Sequence, residues 1–133
     1  MTATIDDRMA AYVAAVHPCF EDLKQVAAQL AGFLVLHAAG SESAKPHHPL
    51  LESAHRVFQC AEGGIKAAPV LRGAREHHAH LLNAAALLEE VLSSLLRRGD
   101  PLVLLQQAWA ELRAASRMLP GFSILDFERG CCA

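Results

Sequence analysis

An all-α, up-down four-helix bundle is the fold this sequence predicts, with an additional N-terminal helical segment and a docked C-terminal tail. Three observations predict it. Alanine, leucine, glutamate, glutamine and arginine dominate the chain, and all are strong helix formers. Apolar residues recur at helical spacing through successive segments, and only the tail hints at period-two alternation. Short connections carrying Gly or Pro separate the segments, which sets neighbouring helices antiparallel. The 133 residues fit a single helical-bundle domain, 1–133. At that length about two-thirds of the unfolded chain's surface can be buried, enough for one core without disulfides or metal.

The first segment is read from Ile5 to Val16. Ile5, Met9, Tyr12, Val13 and Val16 recur at helical spacing, and Asp6 and Asp7 suit the first turn. Pro18 removes a backbone donor, so a kink or a fresh start is expected at His17-Pro18. The second segment runs from Cys19 to Ala39, with Gly40 as its C-cap. Residues 41–49 form a polar loop. The third segment runs from Leu50 to Glu62 and is expected to stop at Gly63-Gly64. A connection with Pro69 and Gly73 has room for a short helix. The fourth spans Ala74 to Arg98, ahead of Gly99-Asp100-Pro101, and the fifth spans Pro101 to Leu119. The tail, Phe122 to Phe127, is apolar enough to dock.

The fourth segment carries an unusual load of leucine. At 100° per residue, Leu81, Leu82, Leu87, Leu88, Val91, Leu92, Leu95 and Leu96 span roughly 200° of its surface. That arc is about twice what an ordinary bundle helix buries. It requires either cover from two sides or a second copy, and the expected partner is a homodimer through helix 81–96. A protein partner is the alternative.

Composition excludes several function classes. Hydrophobic residues make up 53% of the chain and charged residues 20%, which argues against disorder. The formal net charge is −2, so no basic field exists for nucleic acid or an anionic membrane. Lys66, Arg72 and Arg75 form one local basic run, read as a solvated face. The longest uncharged stretch, 25–41, is too short and too polar to span a bilayer. The acidic N-terminus lacks the charge pattern of a signal peptide. A cytoplasmic location is expected, with Cys19, Cys60, Cys131 and Cys132 as thiols. There is no Gly-x-Ser-x-Gly, no phosphate-cradling glycine loop, no Cys-x-x-Cys and no His-Glu-x-x-His, so no catalytic residue is assigned.

The chemistry, if any, centres on Glu76-His77-His78-Ala79-His80. Imidazole titrates near neutral pH and is the commonest metal ligand. His77 falls in the middle of the apolar arc, in register with Leu81, Ala84 and Leu88, while His78 and His80 fall on opposite flanks. His77 and His80, three apart, can face one volume and form half of a metal site. The candidate further ligands are His37, on the stripe of Val26, Leu30, Phe33 and Leu34, and the tail pair Cys131 and Cys132. A haem axial role for one histidine is the related option; no cofactor is assigned. The bland reading of His77 is a buried neutral imidazole bonded to a carbonyl or carboxylate. Glu52-Ser53-Ala54-His55 has the spacing used in di-iron bundles, but it occurs once and points away from the apolar face. Cys19 lies near a helix start beside Glu21 and Asp22 and reads as a small buried residue. Cys60 reads as packing, and Trp109 as a core residue with Leu105 and Leu112.

The segment Ala79-His80-Leu81-Leu82-Asn83-Ala84-Ala85-Ala86 resembles the histidine phosphotransfer family, whose pattern is roughly Ala-His-x-Leu-Lys-Gly-x-Ala/Ser. The resemblance covers these eight residues. It implies a four-helix bundle with His80 exposed as phosphoryl acceptor. Asn83 stands where the family has lysine, and Ala84 where it has glycine. The leading expectation is a non-catalytic bundle that binds a partner or itself. A metal or haem bundle around His77 and His80 comes second, and a phosphotransfer-like domain using His80 third.

Overall fold

The computed structural model describes residues 5–38, 49–95, 101–119 and 122. Four helices pack against each other: α1 (Ile5–Ala38), α2 (Pro49–Ala67), α3 (Arg75–Ser94) and α4 (Pro101–Met118). A 3-10 turn, Arg72–Ala74, leads into α3. The bundle is therefore as the periodicity predicts. Cross-contacts fix its directions. Tyr12 near the start of α1 meets His77 near the start of α3. The start of α3 also meets the end of α2 through His78 and Ile65, and the C-terminal half of α4 through His80 and Glu111. So α1 and α3 run one way, and α2 and α4 the other.

Two predicted breaks are absent. The separate N-terminal segment does not exist: α1 is one helix of 34 residues with Pro18 inside it. Interior proline costs about 3 kcal/mol. Against that, Tyr12, Val16, Phe20, Leu23, Val26 and Leu30 lie on one fully buried stripe that crosses the proline in phase. Each such side chain gains roughly 1.5–3 kcal/mol on burial, so keeping the two halves in register outweighs the lost bond. Pro18 itself points outward and is exposed.

The second absent break is at Gly63-Gly64, which α2 crosses to reach Ala67. Its buried stripe, Leu51, Ala54, Phe58, Ala61 and Ile65, continues past the glycines. Gly64 marks a close approach of two helices. A Cβ placed there would lie 2.5 Å from the Cys19 sulfur on α1. The glycine serves contact rather than termination, and Pro69 follows the helix end.

The leucine arc of α3 is covered within the chain, since α3 meets α1, α2 and α4. Leu81, Leu88 and Val91 are buried, and Leu82, Leu87, Leu92 and Leu95 pack half-buried against the core. Leu96 lies outside the described residues. Among the described residues, the exposed large apolar side chains sit elsewhere. Val35 and Leu36 are in the last turn of α1, Val70 is in the α2–α3 connection, and Leu102 and Val103 are in the first turn of α4. The width of the α3 arc thus does not require a second copy. Trp109 packs half-buried against the core. Cys60, expected to pack, is exposed, because it falls off the α2 stripe beside Ala61. Among the described residues, no helix is long and apolar enough to cross a membrane.

Of the predicted tail, only Phe122 is described. It is buried, and its ring packs T-shaped against Phe20 at 5.1 Å and His17 at 5.3 Å. The loop at 41–48 and the tail from Ser123 lie outside the described residues.

Candidate functional site

The first two turns of α3 place three imidazoles where all four helices meet. Glu76 is acidic in the first turn, which suits the helix dipole. His77 is 2% exposed. Its Nδ1 lies 2.7 Å from the Tyr12 hydroxyl on α1. Burial pushes the Tyr12 pKa up to about 12, so the phenol keeps its proton. The contact is therefore a neutral hydrogen bond, with the phenol donating to Nδ1 in one imidazole tautomer and accepting from Nδ1–H in the other. Nε2 is buried and has no hydrogen-bond partner among the described residues. The Phe122 ring packs T-shaped on His77 at 4.5 Å. Burial first, and then the neighbouring His78 and His80, lower the His77 pKa to about 4. His77 is the buried neutral imidazole the sequence suggests, but its partner is a phenol, not a carbonyl or carboxylate.

His78 turns to a different helix. Its Nε2 donates to the Ile65 carbonyl of α2 at 2.8 Å. Ile65 lies in the last turn of α2, and its carbonyl also accepts the Ala68 N–H at 3.3 Å, so His78 adds a second donor to that helix end from outside. His80 turns to the third. Its Nδ1 donates to Glu111 Oε2 of α4 at 2.5 Å, with both side chains about a quarter exposed. Its Nε2 has no hydrogen-bond partner among the described residues and is not buried. Beside the pair, a shallow groove of about 480 Å³ runs between α3 and α4. Asn83, Leu87, Gln107 and Glu111 help to line it.

Three neighbouring histidines therefore bond to three different helices. The expectation that His77 and His80 share one volume is not met: one points to α1 and the other to α4. Nor does His37 join them. It is exposed in the last turn of α1, stacked on Phe33 at 6.4 Å. Its distance from Tyr12 along α1 is about 37 Å, at 1.5 Å per residue. The stripe position was right for Phe33, but the helix outruns its cover before residue 37. Cys131 and Cys132 lie outside the described residues. Among the described residues, no group of three or more His, Cys, Asp or Glu could hold a metal ion. Glu52 and His55 are exposed, as their phase predicts, and His55 bonds Gln59 at 3.0 Å.

Cys19 is buried, and its sulfur donates to the Ala15 carbonyl at 3.6 Å. Burial, then the charge of Asp22, raises its pKa, so it is a thiol at neutral pH.

Two site residues escaped sequence reasoning, Tyr12 and Glu111. Tyr12 is the only tyrosine and lies on a buried stripe, where a phenol must find a partner. Glu111 borders the α4 face formed by Leu105, Ala108, Leu112 and Ala115. Both signals were visible; which helix would answer them was not. Compared with known protein families, curated proteins and solved structures, the chain finds no match.

Proposed function

We propose that this chain is a non-catalytic helical bundle that works by association, first of all with itself. One observation carries the reading: the three imidazoles that looked like a reaction centre are tied one by one to α1, α2 and α4. Groups used to fasten helices are not converged on a ligand. A metal or haem bundle built on His77 and His80 would need both rings on one enclosed volume, and they face different helices. The association surface is best sought away from helix 81–96, whose described leucines already have intrachain cover. Val35 and Leu36, and Leu102 and Val103, are the exposed apolar pairs.

The test is light scattering across a wide concentration range on untagged protein. Association that weakens in Val35→Ser/Leu36→Ser or in Leu102→Ser/Val103→Ser supports the proposal. A clean monomer at high concentration overturns self-association. Stoichiometric metal or a Soret band in the same preparation would replace it with the ligand-binding reading.

A further inference from the structure

The connection between α2 and α3 lies against the start of α1: a Cβ at Gly73 would touch the Met9 side chain at 3.9 Å. Between them is a notch of about 230 Å³, lined by Arg8, Ala11, Pro69, Val70 and Leu71. That is below the roughly 300–1,000 Å³ of small-molecule sites, and it suits an apolar side chain presented by a polypeptide. Its surroundings are cationic. Arg8 lines the notch, Arg72 directly follows its Leu71 wall, and Arg75 comes one turn later. All three are exposed, and none forms an ion pair among the described residues. The neighbouring acids do not answer them. Glu62 holds Lys66 at 3.5 Å, Asp7 is already engaged, and Glu76 forms no ion pair among the described residues.

The chain itself carries a matching segment, Ile124-Leu125-Asp126-Phe127-Glu128. Extended backbone alternates its faces, which sets Leu125 and Phe127 on one side and Asp126 and Glu128 on the other. Arg129 follows, so two acids stand against one base. A chain's own notch is out of reach of this segment. Phe122, at the start of the tail, packs on His17. His17 and Arg8 are nine residues apart on α1, about two and a half turns, so they project from opposite faces and lie about 14 Å apart along the axis. A straight line through a helix about 10 Å thick is then about 17 Å, and the way round is longer. Asp126 is four residues beyond Phe122, at most about 14 Å of extended chain. The tail of a second copy has no such limit.

We propose that two copies exchange tails: Leu125 and Phe127 of one copy enter the notch of its partner, while Asp126 and Glu128 meet the partner's Arg8 and the partner's Arg72. The inference rests on self-association and gives it a reciprocal, closed form, in which each chain supplies one tail and one notch. The apolar faces supply burial, and the opposite charges set the register and steer the encounter. The contact lies at the end where α3 begins, away from Val35 and Leu102, so either surface can fail without the other.

Charge reversal on each side of the contact tests it on the full chain. In light scattering, Arg8→Glu and Asp126→Lys should each weaken association roughly tenfold. Both positions are changed without touching the core, and far-UV circular dichroism checks that both variants fold. Mixed one to one, the two variants should associate again, because each tail then meets a notch of opposite charge. Two results overturn tail exchange: a mixture that stays as weak as its components, or variants that associate as tightly as the parent chain. The second of these leaves self-association through another surface standing. A parent chain that is monomeric at high concentration overturns both.

Discussion

The two ends of the bundle are built on different principles. At the end where α3 begins, polar side chains join the helices: Tyr12 with His77, His78 with the Ile65 carbonyl, His80 with Glu111. Where α1 ends and α4 begins, large apolar side chains stand exposed, with Val35 at 68% and Leu102 at 52%. A buried hydrogen bond is directional, and losing one partner leaves the other unsatisfied. An exposed valine has little to lose. The first region should therefore set the geometry and the stability of the bundle, and the second should be free to serve contact with other molecules.

The sharpest way to break this contrast is His77→Ala. It removes a buried ring and strands the Tyr12 hydroxyl, and should cost about 3 kcal/mol in urea unfolding. A loss under about 1 kcal/mol would mean the polar end does not hold the fold.

Acid should act on the same residue. Its folded pKa, about 4, lies below the ordinary 6.5, so between these values the unfolded chain binds more protons. Stability is full above pH 6.5 and falls as pH drops toward 4. The loss is about 3 kcal/mol, at 1.36 kcal/mol per pH unit. Chemical denaturation at a series of pH values checks this, and His77→Gln should flatten that part of the profile.

Gly64→Ala probes the α1–α2 contact beside this end. Its new methyl meets the Cys19 sulfur, and overpacking there should cost about 2 kcal/mol. Cys19→Ala in the same chain should recover most of it, a coupling that a double-mutant cycle reads directly. If the two changes simply add, the close approach is not what holds the glycine.

The smallest effect belongs to the other end. Val35→Ser should shift stability by no more than about 0.5 kcal/mol, while weakening any association. A large drop in thermal midpoint would show that this surface is part of the core.

Much of the fold was legible because helical periodicity survives in a single sequence. Pro18 and Gly63-Gly64 break the local rule for one reason: packing, not local propensity, decides there. The stripe through Tyr12, Val16 and Phe20 stays in phase only if the proline is crossed, and Ile65 is buried only if the glycines are. The site was half legible. The phase of His77 on α3 announced its burial. Its partner lies 65 positions away, and the partner of His80 lies 31 away. No spacing rule reports which helices become neighbours. His37 and Cys60 failed differently. His37 lies on a stripe that continues past its cover, and the phase of Cys60 on α2 outweighs the tendency of cysteine to be buried.

The α3 histidines fasten three helices and do not converge on one volume. Nitrogen-detected NMR of the imidazoles, titrated from pH 8 to 4 with and without zinc, tests it most directly. The His77 ring should stay neutral until pH approaches about 4, and zinc should leave His77 and His80 unshifted as a pair. A His77 ring that titrates near 6.5, or joint movement of both rings at one equivalent of zinc, would contradict it.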